Sequence, residues 1–103
     1  MSKSVIESDL VIEGDVAAKE GDIEVKGKIK GDISAKSLDV LSEGQVEGAV
    51  QAKTVMIEGK QSGKIACDEL ALRATSDVTA DVQAKTMTSE KGGRLVGQIK
   101  ITG

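Results

Sequence analysis

One phrase, Gly-x-Val/Ile-x-Ala-Lys, returns along the whole chain, and no other feature limits the possible folds so tightly. It is complete in copies such as Gly31–Lys36 and Gly48–Lys53 and relaxed in others. Aligned on their first residue, the copies begin at Gly14, Gly31, Gly48, Gly63, Ala80 and Gly97, with successive spacings of 17, 17, 15, 17 and 17 residues. A fixed period of this kind marks a solenoid, in which each unit cannot bury its apolar face alone and does so by stacking on its neighbours.

Apolar columns run through the repeat. Two positions after each start stand Val16, Ile33, Val50, Ile65, Val82 and Ile99; two further on stand Ala18, Ala35, Ala52, Cys67, Ala84 and Ile101. Later in the unit come Leu38, Val55, Leu70 and Met87, then Ile23, Val40, Ile57 and Leu72. A last column holds Ile29, Val46, Val78 and Leu95, with Gln61 as its one polar member. Within a unit these positions recur at every second residue, in short runs broken near glycine, which is the pattern of strands with one face inward. Three short strands per unit, each pairing in parallel with its equivalents, give an all-β chain coiled as a three-sided parallel β-helix of about six windings. At about 4.7–4.9 Å per winding, such a rod is about 30 Å long.

The corners and outward columns are also legible. Gly27, Gly44, Gly59 and Gly93 share one position, broken by Ser76, and the expectation is a tight corner with positive φ. The 15-residue unit from Gly48 to Ser62 lacks two residues between its second and third strands, so its bend should be tighter. Lys19, Lys36, Lys53 and Lys85 form an outward ladder in which Asp68 interrupts the like charge.

Composition fits this reading. The chain has no Phe, Trp, Tyr, His or Pro but 12 Gly, so the interior must be filled by thin layers of aliphatic side chains. Its 103 residues make one folding unit, read as a short, flexible N-terminal segment (1–8) and a repeat domain (9–103). A net charge of -3 from 14 basic and 17 acidic residues, without stacking aromatics, argues against a dominant nucleic-acid footprint. No apolar stretch approaches the roughly 20 residues of a membrane span, and the start lacks the pattern of a signal peptide. The expected compartment is the cytoplasm, which agrees with a single cysteine.

No catalytic, cofactor-binding or metal-ligating set emerges. Cys67 falls in an inward alanine column and reads as a small packed side chain. Gly59-Lys60-Gln61-Ser62 superficially resembles a phosphate loop, but Thr54 stands where the first glycine is required and no helix pattern follows. The chemistry lies instead at the ends. A β-helix leaves an apolar layer and a row of unpaired backbone groups at each terminal winding. The first winding offers Ile6, Leu10, Ile12 and Val16, and the last offers Leu95, Ile99 and Ile101. Leu41, Met56, Lys36 and Lys53 are candidates for lateral contacts.

The residues now carry a resemblance. Ser4-Val5-Ile6, the run Asp9 to Asp15 (DLVIEGD), Gly31-Asp32-Ile33-Ser34-Ala35 and the closing Gly92 to Gly97 (GGRLVG) resemble bactofilins over nearly the whole chain. The resemblance implies a right-handed β-helix that assembles without nucleotide or other cofactor into non-polar filaments, through contacts between like ends. It also implies a scaffold for cell-wall and cell-shape factors, associated with the inner membrane. The chain departs from the family at Leu95, where bactofilins often carry an aromatic. Two other readings stand beside this one. A monomeric β-helical binding module would use a lateral face. A left-handed β-helix acyltransferase would need a hexapeptide period and usually a histidine, both missing here.

Overall fold

The computed structural model describes residues 3–102, and these form eleven strands and no helix. The strands are β1 (Lys3–Ile6), β2 (Val11–Glu13), β3 (Val16–Val25), β4 (Lys28–Lys30), β5 (Ile33–Val40) and β6 (Gln45–Ile57), followed by β7 (Lys60–Leu72), β8 (Asp77–Ala84), β9 (Thr86–Ser89), β10 (Arg94–Val96) and β11 (Ile99–Ile101). Every pairing is parallel. The longer strands bend around a corner and serve two faces.

The registers resolve the chain into six windings of three segments. The first face stacks 3–6, 22–25, 37–40, 54–57, 69–72 and 86–89. The second stacks 11–13, 28–30, 45–47, 60–62, 77–79 and 94–96. The third stacks 16–18, 33–35, 50–52, 65–67, 82–84 and 99–101. Extents of 29, 25 and 21 Å match six windings at the usual strand spacing of about 4.8 Å.

Because side chains alternate along a strand, each segment sends its middle or flanking residues inward, and equivalents stack into aliphatic ladders. Ile29, Val46 and Val78, with Val25, Val40, Val55 and Ile57, have no accessible surface. Gln61 sits in the second-face ladder between Val46 and Val78 and is itself buried. Its Nε2 donates to the carbonyls of Ser62 at 3.0 Å and Gly48 at 3.4 Å, while Oε1 has no partner. Cys67 is half-buried in the third-face ladder, opposite Ala52.

Two details differ from the sequence reading. Ile23 pairs with Leu38, and Val25 with Val40, so Ile23 belongs one ladder earlier than the spacing placed it. Extra residues between Ala18 and Asp22 shift the register, and the corner at Lys26–Gly27 is two residues shorter than the one at Leu41–Gly44. The insertion and the deletion cancel, which keeps the spacing at 17 while moving the strand. The predicted tight bend is present at Glu58–Gly59, which is the same length as Lys26–Gly27.

The second difference concerns glycine. Gly27, Gly44, Gly59 and Gly93 do not have positive φ; that conformation belongs to Gly14, Gly31, Gly48, Gly63, Gly92 and Gly97. The first group is required by crowding. A Cβ on Gly27, Gly44 or Gly59 would overlap a backbone carbonyl of the preceding winding, those of Glu7, Val25 and Leu41 respectively. Ser76 replaces glycine in this column, and its Oγ donates to the Arg73 carbonyl at 2.7 Å. At the entrance to the third face both constraints act together, since a Cβ on Gly31, Gly48 or Gly63 would strike the carbonyl of the glycine one winding before.

Candidate functional site

Corner backbone groups continue the ladders from winding to winding. The amides of Lys26, Leu41, Glu58, Arg73 and Glu90 donate to Ile6, Val25, Val40, Ile57 and Leu72 at 2.6–2.9 Å. The same register stacks the side chains Glu7, Lys26, Leu41, Glu58, Arg73 and Glu90 along one edge. Arg73 there pairs with Glu90 at 2.8 Å and lies 3.8 Å from Glu58. On the third face, Asp32 Oδ1 accepts from the Ala49 amide and Asp81 Oδ1 from the Gln98 amide, both at 3.3 Å. These polar contacts hold successive windings together.

The first and last windings each have such a neighbour on one side only, and the apolar surface changes there too. Among the described residues, the most exposed large hydrophobic side chains all lie in a terminal winding: Val5, Leu10 and Val11 at one end, Val96, Ile99 and Ile101 at the other. Exposures of 46% for Ile99 and 50% for Ile101 contrast with 3% for Val82 and 1% for Ala84, their partners one winding inside. The difference has a simple cause. Ile99 and Ile101 occupy inward columns with no further winding to cover them.

The sequence-derived end residues divide accordingly. Leu10 is exposed, Ile12 and Val16 are half-buried, and Ile6 is buried at 9%, so Ile6 adds little to the open surface. Leu95 is half-buried against the core, whereas Ile99 and Ile101 are open. Val5 was missed by the column pattern because it points outward on the first face. Of the lateral candidates, Lys36 and Lys53 are exposed at the corner between the third and first faces, and Leu41 and Met56 are half-buried. Residues 1–8 include β1, which pairs with Asp22–Val25.

A shallow groove of about 710 Å³ runs along the third face, with Ala17, Ser34, Gln51, Ala66 and Gln83 among its lining. The described residues contain no group of three or more His, Cys, Asp or Glu able to hold a metal, and no helix long and apolar enough to cross a membrane. Burial, and secondarily the Asp68 carboxylate, push the Cys67 thiol up to about 11, so it remains protonated near neutral pH and is a poor nucleophile.

The fold and its surface define a class: a parallel β-solenoid in which, among the described residues, the large apolar side chains left exposed lie in the terminal windings, as suits a structural element. The profile of the Bactofilin family, described as polymer-forming cytoskeletal, matches residues 4–100, and the chain belongs to that family. It therefore has a structural, cytoskeletal role. Among solved structures, the cytoskeletal bactofilin BacA, determined by solid-state NMR, is 33% identical with a TM-score of 0.89, covering 98% of this chain and 97% of its own. The F105R mutant of a bactofilin from Thermus thermophilus shares the fold, at 24% identity and a TM-score of 0.81, covering 86% of this chain and 100% of its own. Superposition preserves hand, so this coil winds as bactofilins do. No curated protein sequence matches the chain.

Proposed function

We propose that this protein polymerises end to end, without nucleotide, into filaments in which like ends meet, and that these filaments scaffold cell-shape or cell-wall factors. The observation that carries the reading is the confinement of exposed large apolar side chains to the first and last windings. Unpaired strand edges at the same two places add a backbone template for another copy.

Outward columns favour contacts between like ends. A head-to-tail stack that continued the coil would set Arg94 against Val11, Val96 against Glu13 and Glu90 against Glu7. Two-fold contacts instead allow Val11 to meet its own image, and Val96 likewise. Each such junction is self-complementary, and alternation of the two gives an open, non-polar filament.

Negative-stain electron microscopy of the purified chain, without nucleotide or metal and over a range of concentration, tests the reading. Thin filaments are expected. Monodisperse particles at every concentration would defeat it and favour the second reading, a monomeric binding module, which the groove along the third face supports. Attachment to the inner membrane belongs to the same family likeness and is checked by sedimentation with anionic vesicles.

A further inference from the structure

The two ends carry opposite charge. By sequence, the first winding (3–18) sets Lys3 against Glu7, Asp9, Glu13 and Asp15, a net charge of -3. The last (86–102) sets Lys91, Arg94 and Lys100 against Glu90, a net +2. Glu90 is already engaged by Arg73 at 2.8 Å, which leaves its three cations facing outward and exposed. The four carboxylates of the first winding are exposed as well.

This asymmetry has different consequences for the two kinds of junction proposed above, and the inference rests on that proposal. Two first windings brought together oppose four carboxylates to four. Two last windings oppose three cations to three, at a smaller net charge; open apolar side chains stand at both ends (Leu10 and Val11 at the first, Ile99 and Ile101 at the last), so charge is what distinguishes the junctions. At about 10 mM salt the Debye length is about 30 Å, as large as the whole molecule, so all these charges interact; at about 150 mM it is about 8 Å. We infer that the junctions are unequal and that ionic strength governs assembly. Last windings join first, into dimers, and dimers join through their acidic first windings only when salt screens the carboxylates.

Sizing by sedimentation velocity and imaging by electron microscopy, at about 10 mM and about 300 mM sodium chloride, test this. Dimers at low salt and filaments at high salt are expected. Replacing Glu7, Asp9 and Glu13 together by Gln, Asn and Gln should give filaments at low salt, since these side chains are exposed and the fold does not depend on them. Ile101→Asp should give monomers at low salt and dimers at high salt. Filaments that form at low salt and dissolve as salt rises would overturn the inference by showing that unlike ends meet. Filaments indifferent to salt would also overturn it. Folded chains that assemble at no ionic strength would instead remove the polymerisation proposal itself.

Discussion

At the scale of single residues, four positions should respond differently to substitution. Gly48→Ala combines a strained positive φ with overlap against the Gly31 carbonyl, and should cost at least about 2 kcal/mol in urea unfolding. Gly14→Ala meets strain alone, since nothing lies within 4 Å of its Cβ position, and should cost measurably less. Gln61→Val removes an unpartnered buried acceptor from an otherwise aliphatic ladder; a gain of about 1 kcal/mol is expected in the same measurement. Cys67 supplies a pH dependence. Its folded pKa, about 11, lies above the ordinary 9.0, so the folded state holds the proton more tightly. Stability contributed by this group is full below pH 9 and declines as pH rises toward 11. Cys67→Ala, matching Ala52 and Ala84 in its ladder, should flatten that decline.

At the scale of strands and corners, the sequence disclosed the ladders because one face of each strand is buried and alternation then has only one reading. It disclosed the short corner at Glu58–Gly59 because nothing offset the lost residues. The equal corner at Lys26–Gly27 was hidden by the insertion between Ala18 and Asp22, and periodicity records only the sum. Glycine was ambiguous for another reason: crowding by a neighbouring carbonyl and a positive φ demand the same residue. Gly27 and Gly31 therefore look alike in sequence and differ in structure. The end residues were legible where columns stop, as at Ile99 and Ile101. They were not legible where exposure depends on an outward orientation, as at Val5. Corners of two and of four residues both join these faces, so inserting two residues between Glu58 and Gly59 should cost less than about 1 kcal/mol in chemical denaturation. Leu38→Ala, in the middle of a ladder, should cost about 2–5 kcal/mol.

At the scale of the whole molecule, Leu95→Arg and Ile101→Asp place a charge at the contact between last windings and should stop filament growth, leaving at most dimers joined through first windings. The interior windings are untouched, so circular dichroism should still report β structure; filaments surviving both changes would move the contact elsewhere. The parallel coil also separates the length of the object from the chemistry of its extremities. Each interior winding meets its neighbours through the same three ladders, and none needs a unique closing partner. Duplicating or excising one repeat of 17 residues should therefore change the rod by about 4.8 Å and leave both terminal surfaces intact. The gene can in this way act as a ruler, setting the spacing between successive junctions in a fibre without redesigning any junction.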